Sequence, residues 1–359
     1  MATVRLDNVT KRFGGKAALD KLSLEIADGE FFVLLGPTGA GKTTTLRLIA
    51  GLDRADEGAI EIGGSRVNDW SAAERDVALV FQQYSLYPRY TVRQNLEFPL
   101  RSKVRRLAQA EMDERIARAA KTLRIEHLLE RKTDRLSGGE MQRVSIGRAI
   151  VRKPRVFLMD EPLSNLDAKL REALRGELKE LQMRLGATFL FVTHDQIEAM
   201  SMGDKVGVLN GGRLVQVGTP QEVYSRPRDT FVASFLGSPA MNLVPARIAD
   251  GKAIVVPGAF EFDLSGEARA RTGGRSGPVT LGIRAEDIRV GSEGPAEGLV
   301  HDVENHGVEK VVTLKVADRL LKATVPGNMP LGIDTRIRFG WNQSRMHAFD
   351  TASGQNLAG

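Results

Sequence analysis

The sequence predicts an α/β domain built on a parallel sheet, followed by a smaller all-β domain. In residues 1–237, short apolar runs alternate with segments of helical spacing, which is typical of strands joined by crossover helices. In residues 238–359, short alternating runs are separated by Gly and Pro, and no long helical pattern occurs. The expected boundary therefore follows Gly237, and the second domain is expected to be a small barrel or Greek-key sandwich.

A glycine-rich segment follows the apolar run 31–35 and opens a helical pattern that continues to Ala50. It matches G-x-x-x-x-G-K-[ST] at every fixed position and reads Gly36, Pro37, Thr38, Gly39, Ala40, Gly41, Lys42 and Thr43. Between a strand and a helix, such a loop wraps a phosphate with its backbone N–H groups. Lys42 is expected to reach the β- and γ-phosphates, and the Thr43 hydroxyl to hold Mg²⁺. The segment predicts a P-loop NTPase domain, whereas an ordinary glycine turn would not need the full pattern.

Four polar residues follow buried apolar strands. Asp160 and Glu161 are costly to desolvate at such a position unless they are paired or bound to a metal. Asp160 fits the carboxylate that holds Mg²⁺ opposite the phosphate loop, and Glu161 fits a base for the attacking water. His194 and Gln82 end two further strands, and ligand groups gather at the carboxyl ends of parallel strands. A lone His or Gln is a weak signal, so both are candidates through their position.

An inserted helical subdomain is expected from about residue 88 to residue 153. Apolar residues recur there at helical intervals and are interleaved with Arg and Glu. A basic helix face could bind nucleic acid, but the interspersed acidic residues favour a solvated face. A further long helix is expected over residues 168–185, after a turn at residues 164–167.

The subdomain contains a helix start with an unusual composition. Ser137 is a good N-cap, and Glu140 three residues later completes a capping box. Gly138 and Gly139 each cost helix stability, roughly 1 kcal/mol relative to Ala. A glycine pair at this place indicates that a group approaches the backbone closely, and a phosphate at the helix N-terminus would meet that need.

The composition excludes several classes of function. The 359 residues contain no cysteine, which rules out disulfides, thiolate catalysis and cysteine-ligated zinc. The net charge of +6, from 51 basic and 45 acidic residues, is too small for this length to indicate nucleic acid as a partner. No apolar run approaches the roughly 20 residues that span a bilayer, and the N-terminus lacks a signal-peptide pattern. A function at a membrane would need its membrane part from another chain. The polar tail 351–359 is expected to fray.

Taken together, these motifs resemble the ATPase subunits of ATP-binding-cassette (ABC) transporters. The phosphate loop, Gln82, the run 136–140, the pair Asp160-Glu161, the turn 164–167 and His194 match that family in order and spacing. A narrower resemblance is to importer ATPases with a C-terminal β extension, as in maltose and glycerol-phosphate uptake systems. Four segments carry it: residues 81–88, 194–200, 237–242 and 282–287. Ala285 departs from that pattern, in which Pro is common. Phe13 stands where the family has an aromatic residue, commonly Tyr, that stacks on adenine; a partly buried loop Phe is the alternative.

The resemblance implies ATP and Mg²⁺ as cofactors and an OB-like regulatory fold for the C-terminal domain. It also implies that two copies, or this chain and a closely related second ATPase, dimerise head to tail and sandwich each ATP. One subunit would supply Phe13, Gly36 to Thr43, Thr44, Gln82, Asp160, Glu161 and His194. The other would supply Ser137, Gly138, Gly139 and Gln142. Glu161 would polarise water, His194 would contact the γ-phosphate, and Gln82 would touch Mg²⁺ and the attacking water.

The resemblance further implies partners and a location. These are two transmembrane permease subunits, an extracytoplasmic solute-binding protein and a regulatory protein at the C-terminal domain, with the chain peripheral to the cytoplasmic face of the inner membrane. Nucleic acid is not expected. The expected cargo is a sugar, polyol or sugar phosphate. Two alternatives are an importer ATPase for polyamine, iron or oxyanion, and a soluble ABC ATPase outside transport.

Overall fold

A computed structural model describes residues 2–102, 107–257 and 260–358. Residues 103–106, which belong to the predicted helical block, lie outside the described residues. The chain forms two compact units, Met1–Gln221 and Glu222–Gly359. This division precedes the expected boundary after Gly237, because the intervening segment is bonded to the C-terminal strands. Arg284 donates hydrogen bonds to the carbonyl oxygens of Leu236 and Tyr224, the latter at 2.7 Å.

The first unit contains ten strands and six complete helices within its described residues. The strands are β1 Val4–Phe13, β2 Lys16–Ile26, β3 Phe31–Leu35, β4 Glu57–Ile62, β5 Ser65–Arg66, β6 Val77–Val80, β7 Val156–Asp160, β8 Thr188–Thr193, β9 Lys205–Asn210 and β10 Arg213–Gly218. The helices are α1 Lys42–Ala50, α2 Val92–Glu97, α3 Gln109–Thr122, α4 Gly138–Ile150, α5 Ala168–Leu185 and α6 Gln196–Met202. The short helix α7, Pro220–Ser225, crosses the division between the units.

The larger sheet of the first unit confirms the predicted parallel arrangement. Its strand order is β10-β9-β3-β8-β7-β6, and every neighbouring pair except β10 with β9 is parallel. Every residue of β3 and β8 is buried, as expected for strands that are covered on both faces. The carboxyl ends of β3, β7 and β8 therefore meet at one edge, where the polar residues predicted for the site follow them.

Helix α1 follows β3 and packs into the core with its buried apolar residues. A second, antiparallel sheet of order β2-β1-β4-β5 contributes to the same core. The C-terminus of α1 is held by Arg75, whose side chain is only 2% exposed. Its Nη1 donates hydrogen bonds to the carbonyl oxygens of Leu48 and Ile49 at 2.5 and 3.1 Å. The helix that carries the phosphate loop is thus fixed at its far end.

The helical segment of the first unit is broken rather than continuous. Helix α2 begins with a capping box at Thr91 and passes into a 3₁₀ turn at Phe98–Leu100, and α3 follows. Helix α5 has the predicted bounds, with Asp167 as its N-cap and Gly186 in the left-handed conformation after its last turn. In the described part of the chain, no helix is long and apolar enough to cross a membrane.

In its described residues, the second unit consists mainly of two five-stranded antiparallel sheets that share a core. Their orders are β13-β12-β11-β14-β20 and β15-β19-β16-β17-β18. The strands are β11 Asn242–Ala249, β12 Lys252–Val256, β13 Phe260–Asp263, β14 Gly277–Ile283, β15 Ile288–Gly291, β16 Ala296–Asn305, β17 Glu309–Val316, β18 Arg319–Pro326, β19 Arg336–Trp341 and β20 His347–Asp350. Two short helices, α8 Thr230–Phe235 and α9 Gly266–Arg271, accompany them.

The expectation that the polar tail frays is wrong for its described residues, 351–358. The N–H group of Asn356 donates to the carbonyl of Arg228 at 2.9 Å, and that of Leu357 donates to the carbonyl of Ala348 at 2.8 Å. The tail therefore gains backbone partners from distant segments, which its own composition does not reveal.

Candidate functional site

Two of the three phosphate-loop glycines are required by close contacts within the chain. A Cβ atom on Gly36 would lie 2.3 Å from the carbonyl oxygen of Leu209 on β9. Gly41 has a φ of 107°, and a Cβ atom there would lie 2.7 Å from the carbonyl oxygen of Ala18. No side chain caps α1, which leaves the first N–H groups of this helix without a side-chain partner. These groups lie next to the loop formed by Gly36 to Gly41. This is the local geometry that binds a phosphate.

Lys42 is folded back over this loop. It is 5% exposed, and its Nζ donates hydrogen bonds to the carbonyl oxygens of Gly36 and Pro37 at 2.9 and 3.0 Å. The same nitrogen lies 3.6 Å from Oε1 of Glu161. The ammonium group thus stands between the phosphate loop and the carboxylate after β7, where an anionic ligand would be neutralised.

Thr43 and Asp160 bring two oxygen ligands together. The Thr43 hydroxyl donates a hydrogen bond to Oδ1 of Asp160 at 3.1 Å. Burial raises the pKa of Asp160, the nearby Glu161 charge adds to the rise, and the hydrogen bond from Thr43 opposes it. A carboxylate and a hydroxyl oxygen next to a phosphate loop fit Mg²⁺, which prefers hard oxygen ligands and would relieve the cost of the buried charge.

Glu161 connects the ends of β7 and β8. Its Oε2 lies 2.9 Å from Nδ1 of His194, and its N–H group donates to the carbonyl of Val192 at 3.0 Å. Its φ is 44°, which is uncommon for a residue with a side chain. Backbone conformations of this kind concentrate at functional sites, where the surroundings hold them in place. The structure therefore brings Lys42, Glu161 and His194 into one cluster.

Gln82 is held beside the turn that follows Glu161. Its Nε2 donates to Oγ of Ser164 at 3.2 Å, and Nδ2 of Asn165 donates to its backbone carbonyl at 2.9 Å. Ser164 in turn donates to the carbonyl of Glu161 at 2.9 Å. The Gln82 amide is thus linked to Glu161 through Ser164, a connection that sequence reasoning did not predict. In the sequence, the polar pair Ser164-Asn165 between β7 and α5 was the one feature that could have indicated this connection.

Phe13 ends β1 and is 51% exposed. The ammonium group of Lys11 lies 5.3 Å from the centre of its ring. The exposure differs from the alternative of a partly buried loop Phe. An accessible aromatic face at a strand end is what stacking on a base requires.

The start of α4 has the predicted capping box. The Ser137 N–H donates to Oε2 of Glu140 at 2.7 Å, and the Ser137 hydroxyl accepts from the Glu140 N–H. A Cβ atom on Gly139 would lie 2.8 Å from Cδ2 of Leu170, so packing on α5 accounts for that glycine. A Cβ atom on Gly138 would be 3.3 Å or more from its neighbours, which leaves that glycine without an equally close contact.

Gln142, which the resemblance assigns to nucleotide contact, is buried in this chain. Its side chain has no exposed surface, and neither its amide nitrogen nor its amide oxygen has a hydrogen-bond partner among the described residues. The expected contact of Gln142 with a nucleotide held by a second subunit stays a prediction. In this arrangement Gln142 belongs to the packing of α4.

The β9–β10 hairpin is a structural support that sequence reasoning missed. Leu209 on β9 backs Gly36, and the Gly212 N–H donates to the carbonyl of Ala40 at 2.9 Å. The signal was present in Asn210-Gly211-Gly212 between two runs rich in Val and Leu, because such a turn favours a hairpin.

Family models match three consecutive parts of the chain. Residues 19–164 match the ABC transporter model, residues 237–288 match the MalK OB fold domain and residues 281–349 match the TOBE domain. The first match covers the phosphate loop, Gln82, the start of α4, Asp160 and Glu161. The other two confirm the OB-like character that the resemblance implied for the C-terminal domain.

Relatives with assigned roles align over the whole chain. The chain is 44% identical over 360 residues to an sn-glycerol-3-phosphate import ATP-binding protein of Ruegeria pomeroyi, covering 100% of both chains. It is 45% identical over 374 residues to a trehalose/maltose import ATP-binding protein of Thermococcus litoralis, covering 99% of this chain and 100% of that protein. It is 44% identical over 365 residues to a sulfoquinovosyl glycerol transport ATP-binding protein of Agrobacterium fabrum, with 99% and 100% covered.

Solved structures of ABC cassettes resemble the chain over about three fifths of its length. The cassette cbiO1 of Clostridium perfringens, part of an ABC transporter complex, gives a TM-score of 0.58 at 29% identity and covers 61% of this chain and 89% of its own. A dimeric ABC cassette in a post-hydrolysis state, bound to ADP and phosphate, gives a TM-score of 0.54 at 34% identity and covers 60% and 98%. With the full-length identity to import ATP-binding proteins, these matches show that the chain belongs to the ATP-binding subunits of ABC transporters.

Proposed function

We propose that this chain hydrolyses ATP to energise the uptake of a sugar, polyol or sugar phosphate through separate membrane permease subunits. The observation that carries the ATPase part is the cluster of Lys42, Thr43, Asp160, Glu161 and His194. These side chains come from three different segments, and neighbouring members are joined by contacts of 3.6 Å or less. Such a cluster at the carboxyl edge of a parallel sheet has the parts that phosphoryl transfer requires.

Magnesium fits the oxygen pair of Thr43 and Asp160. Bound there, Mg²⁺ would neutralise charge that develops on the β- and γ-phosphates. Thr43 and Asp160 would hold the ion, and Gln82 would approach it from the turn at Ser164. Asp160 would release any bound proton to do so, because only the carboxylate is a ligand.

The other side chains of the site would have separate roles in ATP binding and hydrolysis. Lys42 would exchange the carbonyl oxygens of Gly36 and Pro37 for phosphate oxygens, and Phe13 would stack on the base. Glu161 would accept the proton of the attacking water, and His194 would contact the γ-phosphate. The hydrogen bond between Glu161 and His194 would hold the general base at a fixed position relative to the residue that contacts the γ-phosphate.

We also propose that the complete site needs two subunits, either two copies or this chain with a closely related ATPase. Ser137, Gly138 and Gly139 lie at the start of α4, and this segment would contact the γ-phosphate held by the other subunit. The dimeric arrangement of the solved cassette bound to ADP and phosphate supports this proposal. Gln142 would join this contact only if its buried side chain became accessible in the dimer.

The proposal for the cargo rests on the relatives. The glycerol-3-phosphate, trehalose/maltose and sulfoquinovosyl glycerol proteins named above all serve sugars or polyols and align over the full chain. An importer ATPase for polyamine, iron or oxyanion is the second candidate, because cargo is selected by other subunits. A soluble ABC ATPase outside transport is less consistent with these full-length relatives.

An aromatic surface in the helical segment is proposed to meet the permease subunits. The rings of Tyr87 and Phe98 lie 4.5 Å apart and those of Tyr87 and Tyr90 lie 5.3 Å apart between centroids. Tyr90 is 39% exposed and Phe98 is 45% exposed. Exposed aromatic clusters of this kind are typical of protein contacts. The chain would then be peripheral to the cytoplasmic face of the inner membrane. A solute-binding protein would deliver the cargo, and the OB-like domain would receive a regulator.

Mixed dimers test the ATPase proposal directly. The purified chain is expected to hydrolyse ATP with Mg²⁺ and to stop when the metal is chelated. Glu161→Gln and Ser137→Arg should each be inactive alone, yet an equal mixture should recover part of the activity. A mixed dimer contains one site with an intact Glu161 and an intact Ser137. If Ser137→Arg alone hydrolyses ATP at the unaltered rate, or if the mixture recovers no activity, the composite site is wrong.

A further inference from the structure

Helix α6 begins immediately after His194, and its N-terminus is already capped. Oδ1 of Asp195 accepts hydrogen bonds from the N–H groups of Ile197 and Glu198 at 2.8 and 3.1 Å. Oδ2 of the same carboxylate lies 3.2 Å from Nη1 of Arg171 on α5. Asp195 therefore supplies the cap that a short helix needs, without help from another side chain.

A second carboxylate, that of Glu198, belongs to the first turn of α6. Glu198 is 2% exposed, and its Oε2 accepts a hydrogen bond of 2.5 Å from the hydroxyl of Thr193. The same hydroxyl accepts a bond of 2.9 Å from the N–H group of Asp195. These hydrogen bonds therefore link the two chain neighbours of His194, through the hydroxyl of Thr193 before it and the N–H group of Asp195 after it.

This arrangement differs from the capping box at α4. There, Glu140 accepts directly from the N–H group of the N-cap residue Ser137. In α6, the hydroxyl of Thr193 stands between the carboxylate and the N–H group of the N-cap residue. The side chain of Glu198 therefore contacts Thr193, the last residue of β8, which precedes His194 in the chain. A cap for α6 alone would not require this contact.

The burial of the Glu198 carboxyl group costs free energy. Capping of α6 does not account for this cost, because Asp195 already caps the helix. Burial raises the pKa of Glu198 and the charge of Asp195 adds to the rise, while the Thr193 hydrogen bond and the charges of Arg171 and Arg175 oppose it. A buried carboxyl group is retained where its hydrogen bond matters, because an apolar residue would be cheaper to bury. Here that bond ends on the residue before His194.

We infer that Glu198 and Thr193 are positioning residues, whose hydrogen bond fixes the backbone on both sides of His194 and keeps its imidazole against Glu161. This inference rests on the proposed ATPase function and deepens it. Thr193 and Glu198 are each 2% exposed, so they would act through the residues around His194 rather than on the nucleotide. Their effect passes through the 2.9 Å contact of His194 Nδ1 with Glu161.

The kinetic test uses paired substitutions in the full-length chain. Glu198→Ala and Thr193→Val should lower kcat for ATP about 10- to 100-fold, because a misplacement of about 1 Å can have that effect. KM for ATP should stay within about twofold, because the phosphate loop is unchanged. Glu198→Gln and Thr193→Ser keep the acceptor and the hydroxyl, and should retain most of kcat.

Thr188→Val is the matched control. Thr188 begins the strand that Thr193 ends, is equally buried, and uses its hydroxyl to accept from the Gly29 N–H at 3.0 Å. This variant should lose stability as Thr193→Val does, with kcat unchanged. If Thr188→Val and Thr193→Val lower kcat equally, or if Glu198→Ala leaves kcat unchanged, the inference is overturned.

A side-chain NMR spectrum of the histidines gives a readout that does not need turnover. The His194 resonance, assigned with His194→Gln, should shift in Thr193→Val and Glu198→Ala and stay in place in Thr188→Val. A His194 resonance that is the same in all three would overturn the inference. Failure of the unaltered chain to hydrolyse ATP, with these shifts present, would instead count against the proposed function alone.

Discussion

Replacing Glu161 with Gln should separate ATP binding from ATP hydrolysis. The substitution keeps the size of the side chain and removes its negative charge. Turnover should fall by about 10²- to 10⁴-fold, which is the usual contribution of a positioned general base. ATP should bind more tightly, because Glu161 competes with the phosphates for Lys42.

The size of the binding effect follows from the distance between Lys42 and Glu161. At 3.6 Å, Coulomb's law gives an attraction of about 1 kcal/mol in bulk water and about 5 kcal/mol at an effective dielectric constant of about 20. The side chains are 5% and 18% exposed, so the lower figure is a safe minimum. Removing 1 kcal/mol of competing attraction corresponds to roughly a fivefold lower Kd for ATP.

Two measurements on the same protein check this prediction. Calorimetric titration with ATP gives Kd, and release of phosphate at saturating ATP gives kcat. Glu172→Gln is the control, because it makes the same substitution at an exposed position of α5 and should change neither quantity. An unchanged kcat in Glu161→Gln would refute the role of Glu161 as the base. A weaker affinity for ATP would refute its competition for Lys42.

Three other substitutions have expected outcomes. Ser137→Arg should abolish hydrolysis with ATP binding to a single site retained, and a monomer that hydrolyses ATP as fast as the dimer would contradict it. Gly36→Ala should destabilise the fold by about 1–3 kcal/mol and weaken ATP binding, because its Cβ would lie 2.3 Å from the carbonyl oxygen of Leu209; Gly176→Ala, with no atom within 4 Å, should stabilise in the same urea titration. Burial and nearby arginines lower the pKa of His347 to about 4 from 6.5, so the unfolded chain binds more protons between these values. Stability should therefore fall by roughly 3 kcal/mol from about pH 7 to pH 4, and His347→Gln should remove that part of the loss in urea unfolding.

Much of the first unit follows from local patterns in the sequence. Helix α5 carries its own start and stop signals in Asp167 and Gly186. Strand β3 is wholly apolar, and β8 is apolar between its two terminal threonines, so their burial on both faces could be predicted. The second unit was harder to predict, because a strand such as β16 alternates buried and exposed residues only up to Val300, where its register shifts and the alternation ends. The tail of the chain is held by distant backbone groups, which no local pattern encodes.

The candidate site was predictable where residue type and strand end coincide. Lys42, Asp160 and Glu161 are identified by the phosphate loop and by carboxylates that an apolar strand would not otherwise end with. The link from Gln82 through Ser164 to Glu161 could not be predicted, because it joins residues 82 apart. The burial of Gln142 was equally hidden, since its place in α4 gave no sign of which face meets the core.

Solute uptake by a strain that lacks this gene shows whether ATP hydrolysis by this chain drives import. Labelled sugars, polyols, glycerol phosphate, polyamine, iron and oxyanions would be offered in parallel, with either the unaltered chain or its Glu161→Gln form restored. We expect that uptake of one sugar, polyol or sugar phosphate is lost and returns only with the unaltered chain. Restoration by Glu161→Gln would contradict the role of ATP hydrolysis, and loss of polyamine, iron or oxyanion uptake instead would contradict the proposed cargo.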